Sequence, residues 1–139
     1  MFYYKCEQER ELSLYPKDYT VLTATQNGNI VTYGAVSYNI NRMECFLYNY
    51  IHKTPDKVII VCYGNDGYPT IGILQYTGDL IIYTIRQYNQ RKEIDYITYY
   101  GAIVFKNHIK VRDMLQNTYN LMTLENKNIT VFRVLLGRG

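Results

Sequence analysis

Between residues 57 and 88 three apolar segments follow one another with so little chain between them that only one kind of pairing is open to them. Lys57 to Tyr63 (KVIIVCY), Pro69 to Tyr76 (PTIGILQY) and Leu80 to Tyr88 (LIIYTIRQY) are rich in β-branched and aromatic residues. Gly64-Asn65-Asp66-Gly67 and Thr77-Gly78-Asp79 separate them with turn-forming residues. A parallel crossover needs about a dozen residues or more, so the three are expected to be antiparallel neighbours. KVIIVCY is apolar on both faces, which marks a central strand. After the polar turn Asn89-Gln90-Arg91-Lys92, a fourth strand is expected from Ile94 to Phe105, interrupted by Gly101.

The other strong pattern is helical. Ile40, Met43, Phe46, Leu47, Tyr50 and Ile51 recur at the spacing of one helix face, with Asn39 as N-cap and Thr54-Pro55-Asp56 as the stop. Together these features predict an α+β fold in which one amphipathic helix, Asn39 to His52, packs on an antiparallel β-meander of four to five strands. Weaker patterns suggest a strand over Met1 to Cys6 and a short helix from Tyr15-Pro16-Lys17-Asp18 to the stop at Asn27-Gly28. A strand is expected over Ile30 to Tyr33 and a last one over Ile129 to Leu136. Val111, Met114, Leu115, Thr118 and Met122 fall at helical spacing, which predicts a helix over 109 to 122. No linker, repeat or low-complexity stretch divides the chain, so residues 1 to 139 are expected to form a single domain.

With 139 residues, 47% of them hydrophobic and 19% charged, the chain can bury a real core. No apolar run approaches the ~20 residues that cross a bilayer, and Met1-Phe2-Tyr3-Tyr4-Lys5 lacks the pattern of a secretory signal. A cytoplasmic location without membrane association is expected. Cys6, Cys45 and Cys62 show no paired spacing, which argues against a disulfide framework or a zinc site; Cys45 and Cys62 read as core filler.

Catalytic chemistry is thinly supplied. Ser13 and Ser37 lie in no nucleophile motif. His52 closes a helix, and His108 reads as a turn residue. Asp66 and Asp79 suit turns, and Glu93 with Asp95 is too small a set to hold a cation. No catalytic residue, no metal site and no cofactor is expected, and hence no enzyme.

Binding is better supplied. Residues 1 to 79 carry six Lys/Arg against eight Asp/Glu, whereas residues 80 to 139 carry nine against four. Arg86, Tyr88, Arg91 and Lys92 cluster near one hairpin end, with Tyr96, Tyr99 and Tyr100 on the returning strand. Tyr and Arg are enriched at interface hot spots, which points to a protein partner with an acidic surface. Aromatic rings interleaved with Arg would also suit a nucleotide or single-stranded nucleic acid, and that remains the alternative. Small size and AT-rich composition make an inhibitor encoded by a phage or mobile element, acting on a host defence system, the most specific form of the first reading. The apolar ends, Met1 to Cys6 and Ile129 to Leu136, suggest a homodimer through an edge strand.

From about residue 20 to 88 the chain resembles an uncharacterised domain-of-unknown-function family of small Bacillus and Clostridium proteins, often lipoproteins. Asn27-Gly28-Asn29-Ile30-Val31, Gly34, the helix from Asn39 through Phe46, Asp56-Lys57-Val58, Asp66-Gly67-Tyr68-Pro69-Thr70-Ile71, Tyr76-Thr77-Gly78 and Ile82-Tyr83-Thr84 carry the resemblance. Tyr68 replaces the family's acidic residue, Ile85 to Gln90 replaces its acidic stretch, and its C-terminal cysteines and leader have no counterpart. The resemblance implies a helix-on-sheet domain from a low-GC Gram-positive bacterium or its phage. It implies no function.

Overall fold

The computed structural model describes residues 2 to 64 and 68 to 138, so the turn expected at Asn65, Asp66 and Gly67 lies outside the described residues. Helices α1 (Phe2–Ser13) and α2 (Val21–Gln26) precede strands β1 (Ile30–Tyr33) and β2 (Val36–Tyr38). Helix α3 (Ile40–Ile51) follows, then strands β3 (Asp56–Tyr63), β4 (Thr70–Tyr76), β5 (Ile81–Tyr88), β6 (Ile94–Val111), β7 (Met114–Thr123) and β8 (Asn128–Arg138). All eight strands form one sheet in the order β2-β1-β3-β4-β5-β6-β7-β8. Of the described residues 52% are strand and 22% helix, and the sheet curls into a nearly closed barrel. Strand β8 returns against β1 and β2 to make the seam.

This corrects the expected fold class. β3, β4 and β5 are antiparallel neighbours. They are nevertheless the middle of an eight-stranded barrel, not a four- to five-stranded meander carrying one helix. The departure begins at β1, which pairs in parallel with β3, so α3 is the crossover between them.

Helix α3 packs on the inner face of the sheet. Its Met43 and Phe46 are fully buried against Ile30, Val58, Ile60, Leu74, Tyr83, Tyr119 and Leu121. α1 and α2 cover the outer face, where Leu12, Tyr19 and Ala24 meet Val31, Val61, Ile71 and Ile73. Two apolar layers on opposite faces explain why KVIIVCY carries no polar stripe. Glycine makes the curvature possible at two points. A Cβ at Gly72 would lie 2.8 Å from the Tyr83 ring, and one at Gly101 would collide with Leu121. Gly101 also opens the bulge at which β6 turns from β5 toward β7.

Two local expectations fail for separate reasons. The strand expected over Met1 to Cys6 falls instead on α1. Its first residues favour strands in isolation, but the helix-forming run Glu7 to Leu12 continues them, and Gln8 and Leu12, one turn apart, are the buried pair. Residues 109 to 122 are the β6–β7 hairpin. The same apolar residues fit both periods, and the deciding turn, Arg112-Asp113, has positive φ at both positions (49° and 65°). Two-residue hairpins of this kind favour Asn-Gly, so Arg-Asp gave no turn signal. Cys45 is exposed and is not core filler.

Two carboxylates fasten α3 to the barrel wall. Arg42 and Asn49 donate to Asp56 of β3, while Lys106 of β6 and Tyr119 of β7 donate to Glu44. Burial alone would raise both carboxyls, but the hydrogen bonds outweigh it and hold both below the usual range. A depressed carboxyl stabilises fully above the ordinary value near pH ~4 and loses that contribution as pH falls through the folded value. Glu44→Gln with Asp56→Asn should therefore lower the urea midpoint near neutral pH and flatten its decline toward about pH 3. Separately, Arg112→Asn with Asp113→Gly should relieve left-handed strain of about 1 kcal/mol per residue and raise the thermal midpoint by a few degrees.

Candidate functional site

Strands β5 and β6 pair with Arg86 opposite Tyr96, Tyr88 opposite Ile94, Ile82 opposite Tyr100 and Tyr83 opposite Tyr99. Side chains alternate across a sheet, so this register splits the expected binding patch. Arg86, Tyr88, Tyr96 and Tyr100 face outward, whereas Tyr99 faces the barrel interior and stacks on Tyr83 at 6.4 Å. Arg91 and Lys92 are exposed on the turn between β5 and β6.

Arg86 is not a surface residue. It is 0% exposed, lying beneath the segment that joins α1 to α2. Its guanidinium donates to the carbonyls of Leu12 (2.8 Å), Tyr15 (2.8 Å) and Pro16 (3.2 Å). The last carbonyls of a helix have no partner within it, and a cation there also suits the helix dipole. Arg86 thus caps α1 from a distant strand. Tyr88 packs beside it, 6.0 Å from guanidinium carbon to ring centre. Arg86→Ala should remove three charge-assisted hydrogen bonds, leave the Tyr15 carbonyl without a donor (the Leu12 and Pro16 carbonyls still accept from the Tyr15 and Tyr19 N–H groups) and cost about 3 kcal/mol in denaturant unfolding, whereas the exposed Arg91→Glu should stay within ~0.5 kcal/mol. Arg86→Lys should not restore stability, since an ammonium cannot reproduce the planar fork.

What remains of the patch belongs to a different site. In a run of antiparallel strands alternate loops fall at the same end, and here the β3–β4 and β5–β6 connections flank one open end of the barrel. Between them lies a cleft of about 670 Å³, lined by Cys62, Gly64, Tyr68, Thr70, Gln87, Tyr88, Asn89, Gln90 and Lys92. Tyr68 and Tyr88 contact each other with ring centres 5.0 Å apart. Among the described residues, the buried Tyr88 hydroxyl has no hydrogen-bond partner. The rim turn is built around Asn89, whose side-chain oxygen accepts from the Arg91 and Glu93 N–H groups. Lys92 closes that turn in left-handed geometry (φ 60°), a position better suited to Gly or Asn.

Cys62 joins this cleft to a second cavity of about 330 Å³ at the seam, lined by Thr32, Tyr63, Thr130, Phe132 and Arg133 among others. Burial pushes its thiol pKa up, partly offset by a hydrogen bond with Thr32, so Cys62 is protonated at neutral pH. That makes it a poor nucleophile. His52 and His108 are each engaged locally, with the Tyr48 carbonyl and the Asn117 side chain. Glu93 and Asp95 are both exposed at the start of β6. Among the described residues, no group of three or more His, Cys, Asp or Glu converges on a point, and no helix is long and apolar enough to cross a membrane.

Of the seven residues expected to bind, Tyr88 and Lys92 line the cleft and Arg91 stands on its rim turn; the other four lie elsewhere. Sequence reasoning passed over Tyr68, Thr70, Gln87, Asn89 and Gln90. The signal was available, because an antiparallel β3–β4–β5–β6 run already places Gly64, Tyr68 and Pro69 at the same end as residues 89 to 93. Compared with protein-family models, curated proteins and solved structures, the chain matches none, and nothing in those comparisons bears on the resemblance over residues 20 to 88.

Proposed function

We propose that this chain is a non-catalytic binding protein that receives a protein partner at the open end of its barrel. The observation that carries this reading is the convergence there of the Tyr68–Tyr88 pair, the unpartnered Tyr88 hydroxyl and the cations Arg91 and Lys92 around one cleft. Two adjoining rings offer apolar area at low entropic cost, as interface hot spots do. The cations favour an acidic group on the partner. A buried hydroxyl without a partner costs about 1–3 kcal/mol, which an acceptor supplied on binding would relieve. Lys92 adds a sign of the same kind: a cation stands at a rim position where glycine would be easier on the backbone.

The test begins with purification from the native host and measurement of affinity for the retained protein. Tyr68→Ala and Lys92→Glu should each weaken binding at least tenfold, and binding should weaken as salt rises, because exposed charges are screened over ~8–10 Å. Co-purification of material absorbing at 260 nm, with a steep salt dependence, would replace this reading by the nucleotide or nucleic-acid one. Unchanged affinity in both variants would remove the open end as the binding site. Lys92→Gly separates fold from function: it should raise unfolding free energy by about 1 kcal/mol while weakening the partner.

A further inference from the structure

Beyond the open end, β6 presents a second surface. Only its first part, Ile94 to Gly101, pairs with β5; past the bulge, Ile103 to Val111 pairs with β7 alone. Among the described residues no strand pairs with the other edge of Ile103–Val111. Its outward side chains Ile103, Ile109 and Val111 are 51%, 38% and 47% exposed. A long, uncovered edge with a mainly apolar outward face is a template for another strand, although its inward Lys106 and Lys110 temper that tendency. The segments expected to form such an edge do not: residues 2 to 13 are helical, and β8 faces β1 and β2 across the seam.

We infer that the occupant is a second copy of the same edge, paired antiparallel about a two-fold axis at Asn107. The sequence of the edge is complementary to itself in that register. On the outer face Ile103 meets the second copy's Val111, and Phe105 meets its Ile109. On the inner face Lys106 stands opposite His108, and Val104 opposite Lys110, so no two lysines are directly opposed. Both lysines already have acidic neighbours in their own chain, Glu44 at 3.0 Å and Asp113 at 3.9 Å. The product is a continuous six-stranded sheet, β8-β7-β6 joined to its copy. An isologous pairing of this kind closes, and it does not propagate into a fibre. The paired segment is the half of β6 remote from the open end, so both clefts of the dimer stay accessible.

Charge reversal across the proposed register tests this on the full chain. Positions 103 and 111 are too far apart along one strand to touch within a copy, but they face each other between copies. Ile103→Lys with Val111→Lys sets like charges opposite each other twice, whereas Ile103→Lys with Val111→Glu sets opposite charges there. Sedimentation velocity from micromolar to several hundred micromolar should show the parent at twice its 16.5 kDa mass. The Lys/Lys variant should dimerise at least tenfold more weakly than the Lys/Glu variant. Thermal unfolding of both variants controls for folding, which surface changes at half-exposed positions should leave nearly intact. A parent that stays monomeric throughout overturns the inference. So do two folded variants that dimerise equally, because the contact would then lie on another edge or in another register.

Discussion

The crossover helix is the constraint from which the rest of the architecture follows. β1 and β3 run parallel side by side, so the chain between them must pass over one face of the sheet. After β2 extends the edge of the sheet, the chain does so as α3, which carries Met43 and Phe46 into the inner layer. One helix on one face of a flat sheet would leave most of its own surface wet. The sheet avoids this by curling round it: Val104, Tyr119 and Leu121, from strands far from β1 in the sheet order, close on the same side chains. Register shifts in β6 and again between β7 and β8 provide the local bends. Asp56 and Glu44 then hold α3 from opposite sides of the curve.

Once α3 occupies the inside, the outer face of β3, β4 and β5 needs its own cover, and α1 provides it through a row of directed polar contacts. Gln8 donates to Gln75 and to the Ile82 carbonyl and accepts from Thr84, which also bonds Thr98. Arg86 completes the row by capping the end of α1. A buried cation bound by carbonyls alone is an expensive arrangement unless its geometry is fixed. The cost confers register: α1 can slide or rotate only by breaking several directed bonds at once. An apolar contact of equal area would tolerate such movement.

Legibility in the sequence followed the range of the interactions involved. β3, β4, β5 and α3 were readable because alternation, helical period and turn residues are local and agree with one another. The hairpin at 109 to 122 was not, because Val111, Met114, Leu115, Thr118 and Met122 satisfy two periods and Arg112-Asp113 disguises the turn. Barrel closure was unreadable in principle, since it depends on which face of the sheet α3 takes. Arg86 shows the same limit at a single residue. An arginine at an alternating strand position reads as solvent-facing, and nothing nearby in sequence discloses that residues 12 to 16 lie over it. Tyr99 parts from Tyr96 and Tyr100 for a simpler reason: the three are close in sequence on one strand, but odd and even positions in a strand point to opposite faces.

Tyrosine shows how composition becomes architecture. The chain holds 17 tyrosines and no tryptophan, which by itself suggests an adhesive surface. Many are instead struts between layers, each with its ring in apolar packing and its hydroxyl on a fixed acceptor. Tyr119 stacks on Phe132 and donates to Glu44; Tyr76 packs in the inner core and donates to the Gly78 carbonyl. Tyr63 reaches across to the Tyr19 carbonyl, and Tyr19 itself donates to Asn29. A tyrosine strut needs an acceptor where its ring ends, and the fold supplies one in each of these cases. Tyr88 breaks the pattern, with a ring packed between Arg86 and Tyr68 and a hydroxyl that meets no acceptor among the described residues. Set against the partnered hydroxyls of Tyr19, Tyr63, Tyr76 and Tyr119, that omission beside the cleft is what singles out the open end from the rest of a tyrosine-rich surface.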